Sequence, residues 1–312
     1  MTSRRADFYH PPFERAFLLP AYWPTWLALA LLRLCVYLPR GLVGFIGARL
    51  GDLACRLNEK RRRIAQYNVD LCFPELPPEE RRRMVRRHFQ VYLQCILDMG
   101  LVWWARPAFL DRYIRFTGLE HYRQHHERGH PIIVLTGHFA ALDIGGIMLS
   151  RHFPQLGLIK PEKNRLIDWF ISRGRTRFLG RLVTRDQGLR PVVREVKAGR
   201  GFYYLPDEDF GPERSVFAPF LGTQAATLTA LGRLAKLCDA VVIPCVARRL
   251  SAAEGYEIAL RPALENFPGG DPRADAARMN RELEIGVRAA PQQYMWTLKL
   301  FKTRPGGAPS PY

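Results

Sequence analysis

The sequence predicts an α/β fold, a mixed and largely parallel sheet flanked by helices, preceded by an N-terminal helical segment suited to anchoring in a membrane. Three observations carry this reading. From Tyr113 onward, short runs of branched apolar residues alternate with amphipathic stretches, the pattern of strands covered by helices. Before that, residues 16–32 contain no charged side chain at all. And 47 Lys and Arg against 29 Asp and Glu give a formal charge of +18 over 312 residues. The apolar content of 47% is ordinary for a globular chain and speaks against disorder or a polytopic membrane protein. The charge excess is mostly arginine, a side chain suited to bidentate contact with phosphate. Such a surface attracts nucleic acid, anionic lipid headgroups or an acidic protein, and composition does not choose among them.

Taken in order, residues 1–15 are polar and basic, with Arg4, Arg5 and Arg15. The uncharged run 16–32 is broken by Arg33 and resumes to Pro39. A spanning helix needs about 20 apolar residues. The run is therefore borderline, and Pro20 and Pro24 oppose a straight helix from Ala16. Tyr22, Trp23 and Trp26 are residue types that settle at bilayer interfaces. A signal peptide fits poorly, since the apolar run is long and no small-residue cleavage site follows it. A buried helix of the globular core is the plain alternative. The preferred division is an anchor over 1–40, spanning or interfacial, then an α/β domain over 41–312 with a basic helical lead-in at 41–110. Arg40, Arg49, Arg56 and Lys60 to Arg63 follow the apolar run, and by the positive-inside rule they would hold the remainder in the cytoplasm. Glu79–Trp104 reads as a long helix, its apolar stripe formed by Val85, Phe89, Tyr92, Ile96, Met99 and Trp103.

Further along, the pattern predicts a strand at Ile132–Leu135 and helices over Ala140–Leu149, Leu166–Arg177 and Pro191–Lys197. Strand Gly201–Leu205, helix Ala225–Cys238, strands Ala240–Val246 and Tyr256–Arg261, and helix Asp275–Ala289 follow. Six cysteines sit in apolar segments without C-x-x-C or zinc-like spacing and read as reduced thiols.

Several familiar catalytic motifs are missing: no G-x-S-x-G elbow, Walker loop or G-x-G-x-x-G after a strand occurs. What remains is His138, where the strand Ile132–Leu135 gives way to a turn, and Asp143 five residues on. Open α/β sheets bind ligands at the carboxyl ends of their strands. A second polar strand end carries Asp207, Glu208 and Asp209, and an arginine group comprises Arg165, Arg173, Arg175 and Arg177. Each could be a structural turn or a solvated face. A histidine with a carboxylate and no protein nucleophile suits general-base activation of a substrate hydroxyl, the carboxylate fixing the imidazole tautomer.

Gly-His138-x-x-x-x-Asp143, Leu166-Ile-Asp-Trp169, Gly174-Arg175 and Pro206-Asp-Glu-Asp-Phe-Gly-Pro212 with Ser215-Val-Phe217 together resemble the late acyltransferases of lipid A biosynthesis. So do Gln224-Ala-Ala-Thr227, Gln293-Tyr-Met-Trp296 and Phe301-Lys-Thr-Arg-Pro305, and earlier Arg63-x-Ala-x-x-Asn68 and Cys72-Phe-Pro-Glu75. The His-x-x-x-x-Asp/Glu pair alone is shared with glycerolipid acyltransferases. The resemblance implies a glycerolipid-acyltransferase-like fold and an inner-membrane enzyme anchored by its N-terminus, with its site at the cytoplasmic face. It implies transfer of a fatty acyl chain from acyl carrier protein to a hydroxyacyl hydroxyl of a Kdo-modified lipid A precursor. No cofactor, metal or nucleic acid is implied; the carrier protein, the lipid precursor and membrane lipids are the expected partners. Carried over by position, His138 and Asp143 are the catalytic pair, with Arg175, Asp207 and Asp209 binding substrate or supporting the site. The family often has Glu where this chain has Asp143. A glycerolipid acyltransferase and a non-catalytic basic binding protein are the rival readings.

Overall fold

A computed structural model describes residues 8–312; Arg4 and Arg5 of the basic leader lie outside the described residues. The chain enters through two 3₁₀ turns into helix α1 (Trp23–Cys35). Pro24 sits in the first turn of this helix, where its missing N–H costs nothing. At 13 residues α1 is about 20 Å long, short of the roughly 30 Å hydrocarbon core. Among the described residues no helix is long and apolar enough to cross a membrane. The expected anchor was either spanning or interfacial; the prolines and Arg33 confine the apolar helix to less than a membrane thickness.

Helices α2 (Arg40–Leu57), α3 (Glu59–Cys72) and α4 (Pro78–Trp104) follow. Gly47 and Gly51 bring α2 against α4 at backbone distance; a Cβ on Gly51 would stand 2.4 Å from Gln90 Cα. Asp52 locks the same crossing, accepting from Arg86 Nε at 2.6 Å and Gln90 Nε2 at 2.7 Å. In α4, Val85, Phe89 and Met99 are buried as the apolar stripe requires, but Ile96 is 40% exposed.

The α/β unit continues with α5 (Pro107–Tyr113), β1 (Ile114–Thr117), α6 (Leu119–Glu127), β2 (Ile132–Leu135), α7 (Leu142–His152), β3 (Gln155–Ile159), α8 (Arg165–Arg175) and β4 (Gly180–Thr184). Then come α9 (Arg190–Lys197), β5 (Gly201–Tyr204), β6 (Ser215–Phe220), β7 (Thr223–Leu228), α10 (Ala230–Cys238), β8 (Val241–Arg249), β9 (Tyr256–Leu260) and α11 (Pro272–Ala289). Seven strands form one sheet in the order β1-β9-β8-β2-β5-β3-β4, parallel throughout except for β8 with β9. The mixed, mostly parallel sheet is as the sequence predicts. β6 and β7 form a separate antiparallel hairpin. Residues 225–228, expected to open a helix, are the end of β7, and α10 starts only at Ala230.

The alternation along β2 shows how the sheet divides the core. Ile133 and Leu135 join one apolar cluster with α9, α10 and α11, while Ile132 and Val134 join another with α6 and α7. A strand buried on both faces carries a continuous apolar run, which is why this segment was legible. All six cysteines are free, five of them buried.

Candidate active site

β2 and β5 are neighbours in the sheet, so the segments leaving their carboxyl ends leave side by side. From β2 the chain passes through Thr136 and Gly137 to His138; from β5 it passes through Leu205 and Pro206 to Asp207. Asp207 meets the histidine twice. Its Oδ2 accepts the His138 backbone N–H at 2.6 Å, and its Oδ1 pairs with Nδ1 at 2.7 Å. Gly137 allows this approach, since a Cβ there would stand 3.0 Å from Asp207 Oδ2.

The carboxylate is buried, its side chain 4% exposed, whereas His138 is 20% exposed. Burial alone would raise the Asp207 pKa, but the charge of His138 and the donors around the carboxylate hold it below the ordinary value. Burial likewise works against a charged His138, yet the Asp207 charge and hydrogen bond outweigh it and the imidazole pKa is raised. An ionised Asp207 is acceptor-only, so Nδ1 carries the proton and Nε2 presents a lone pair. Near Nε2 stands Glu208, its Oε1 at 3.5 Å, held on its other side by Arg185 at 3.3 Å. Among the described residues the side-chain hydrogen bonds and ion pairs of His138 go to these two carboxylates and to no hydroxyl or thiol.

The segment after α11 completes the frame. Phe139 and Tyr294 form a β-bridge, Ala140 N–H donates to Gln293 O at 2.8 Å, and Met295 N–H donates to His138 O at 2.8 Å. The Tyr294 hydroxyl donates to Asp207 Oδ2 at 2.9 Å. Tyr294 was invisible as a site residue in the sequence; only the block Gln293–Trp296 stood out, without a role. Replacing Tyr294 by Phe removes a donor to the anion and leaves Asp207 more basic and His138⁺ better held. The expected result is a fall in turnover of about tenfold, within the range for a lost hydrogen bond to a charged group. The acid limb of the pH–rate profile is expected to move to higher pH. An unchanged limb would leave Tyr294 a packing residue only.

Asp143 makes no hydrogen bond or ion pair with the histidine among the described residues. It lies in the first turn of α7 and takes Arg175, the last residue of α8, in a bidentate pair with Nε at 2.7 Å and Nη2 at 3.1 Å. The expected pairing of His138 with Asp143 is corrected accordingly. His138 stands in the loop before α7, and the carboxylate on its ring comes from the adjacent strand end rather than from its own helix. Both members of the Asp143–Arg175 pair are about a third exposed, and both line the same cavity as His138. That cavity, about 1070 Å³, is walled mainly by apolar side chains, Ile147, Leu158, Leu182 and Leu234 among them.

The other named residues lie elsewhere. Asp209 accepts from the backbone N–H of Gly211 at 2.9 Å and of Thr303 at 2.5 Å, and from Thr303 Oγ1 at 2.7 Å, which ties its loop to the C-terminal segment. Arg165 pairs with Glu14. Arg173 lies over Trp169, and Arg177 donates to the carbonyls of Val102 and Ala105 at the end of α4. Of the arginine group only Arg175 reaches the cavity.

The chain is similar to known proteins along most of its length. Residues 10–303 match the family model described as bacterial lipid A biosynthesis acyltransferase. The chain is 36% identical over 303 residues to the lipid A biosynthesis lauroyltransferase of Escherichia coli (strain K12), covering 97% of this chain and 99% of that protein. It is 35% identical over 312 residues to the myristoyltransferase of the same strain, covering 100% of this chain and 97% of the relative. The strain's palmitoleoyltransferase is 32% identical over 301 residues, 96% of this chain and 98% of that one. With likeness along nearly its whole length and a carboxylate-bonded histidine lining an apolar cavity, the chain belongs to the bacterial lipid A biosynthesis acyltransferases.

Proposed function

We propose that the protein transfers a fatty acyl chain from the thioester of acyl carrier protein to a hydroxyacyl hydroxyl of a Kdo-modified lipid A precursor. The observation that carries this reading is His138, its Nδ1 held by Asp207, lining a large apolar cavity. Nε2 takes the proton of the acceptor hydroxyl as its oxygen attacks the thioester carbonyl. The tetrahedral oxyanion collapses and expels the thiolate, which recovers the proton from the imidazolium. A thiolate of pKa about 8.5 leaves readily, so base catalysis suffices without an acyl-enzyme. That no hydroxyl or thiol bonds the histidine among the described residues supports direct transfer. Arg175, fixed by Asp143 on the same wall, places positive charge where the oxyanion develops.

The proposed site of action is the cytoplasmic face of the inner membrane, with residues 1–40 acting as an interfacial rather than spanning anchor. Trp23, Leu27, Leu31 and Leu34 follow three- and four-residue steps along α1, and all are more than half exposed. Leu42, Phe45, Leu53 and Leu57 extend an exposed apolar face along α2. An apolar face of this size flanked by arginines suits immersion in headgroups and upper acyl chains of an anionic bilayer. Replacing Leu27 and Leu31 by Asp is expected to weaken binding to phosphatidylglycerol-containing vesicles by tenfold or more, at roughly 1.5–3 kcal/mol per leucine no longer buried. Equal co-sedimentation of variant and parent would remove the anchor.

The test of the function itself is transfer by the purified enzyme, with the lipid product read by mass spectrometry. Acyl carrier protein is expected to be a faster donor than coenzyme A carrying the same chain, because an acidic carrier is drawn to this basic surface. No acylated product with the carrier donor would overturn the reading.

A further inference from the structure

The cavity beside His138 reaches both faces of the sheet. Ile147 of α7 and Leu234 of α10 both line it, although these helices cover opposite faces. Phe202, Tyr203 and Tyr204 are consecutive in β5, and all three contribute to its wall. Side chains alternate across a strand, so a cavity confined to one face could not take all three. Both β5 and β3 line the cavity. These strands pair only over Gln155–Gly157 with Gly201–Tyr203, after which β3 runs on to Ile159 alongside β4 alone.

We infer that the cavity is two lobes for two chains: the α7-side lobe takes the hydroxyacyl chain of the lipid acceptor, the α10-side lobe takes the fatty chain of the donor, and they meet at His138. This rests on the two-substrate transfer proposed above. The acceptor assignment follows from position. The α7-side lobe opens beside Arg175 of α8, and Asn164, which caps that helix, donates to Thr25 of α1 at 3.0 Å. A lipid arriving along the apolar face of α1 therefore meets this mouth first. The donor assignment follows from charge. Arg214 and Arg233 border the α10-side lobe, are exposed, and form no ion pair with a carboxylate among the described residues. They are available to an acidic carrier presenting its thioester.

Two glycine- or alanine-lined points allow each lobe to be filled alone. A Cβ on Gly157 would meet only the end of Leu182, at 3.3 Å, so a larger side chain there projects into the α7-side lobe. Ala230, the first residue of α10, lines the other. The experiment is steady-state kinetics of the full-length enzyme with a lipid A precursor acceptor and a series of acyl carrier thioesters of increasing chain length. Gly157→Leu is expected to raise the acceptor KM roughly tenfold or more, as misfit in an apolar pocket does, and to leave the ranking of donor chain lengths unchanged. Ala230→Phe is expected to shift the preferred donor to a shorter chain and leave the acceptor KM unchanged. Should Gly157→Leu fail to fold by circular dichroism, Leu182→Phe fills the same lobe. A changed donor ranking in the α7-side variant, equal effects of both variants on both substrates, or no effect of either would overturn the inference. Failure of the wild-type enzyme to transfer at all would instead strike the proposed function.

Discussion

His138→Ala is expected to lower acyl transfer by about 10²–10⁴-fold, the usual contribution of a positioned general base. The fold should survive the change. The loop around residue 138 is held by main-chain groups that alanine keeps, its N–H on Asp207 and its carbonyl under Met295 N–H. Asp207 also retains the Tyr294 hydroxyl, so its buried charge is not left without donors. The Michaelis constants should change little, because the proposed role of the imidazole is to act on a proton and not on either chain. A variant with near-normal turnover and an intact circular dichroism spectrum would remove His138 from the chemistry.

Asp207→Asn should cost about as much, on the order of 10³–10⁴-fold in turnover, as when the orienting carboxylate of a histidine base becomes an amide. The carboxylate accepts three hydrogen bonds: from the His138 backbone, the His138 ring and Tyr294. An amide has one oxygen, and its NH₂ would face either the ring or a second donor. Turned toward Nδ1, it forces that nitrogen to accept, which moves the ring proton to Nε2 and removes the lone pair proposed to take the substrate proton. Asp143→Asn loosens Arg175 but leaves the tautomer of His138 untouched, and its cost should be correspondingly smaller. The ranking of these two variants separates the observed geometry from the pairing suggested by the spacing of residues 138 and 143.

The parts of the fold legible in the sequence are those where one local signal decides. Ile132–Leu135 is four apolar residues closed by Thr-Gly, and both its burial on two faces and the histidine at its end follow from that pattern. β3 and β4 escaped such reading, since Gln155 and Gly157 in one and Arg181 in the other dilute the apolar run; they are strands because their neighbours pair with them. Ala225 to Leu228 resembles a helix start in composition, but Val216 and Phe217 across the hairpin hold it extended. At the site, His138, Arg175 and Asp207 were each named. Which carboxylate serves the histidine was not readable, because it depends on β5 lying next to β2, a neighbour relation across some 70 residues of chain. Tyr294 depends on the same kind of relation, so the block Gln293–Trp296 could be noticed but given no role.

Asp207 is proposed to set the protonation of His138, and the pH dependence of kcat/KM in wild type and in Asp207→Asn is the test. In the native site the ring is buried, which lowers its pKa, but the Asp207 charge more than compensates and the net shift is upward. The base must be neutral to act, so the wild-type acid limb should lie above the ordinary imidazole value of about 6.5. With asparagine at 207 burial is opposed chiefly by the Glu208 charge, and the acid limb of the residual activity should move to lower pH. An acid limb that stays in place in Asp207→Asn, yet moves in Asp143→Asn, would contradict the account.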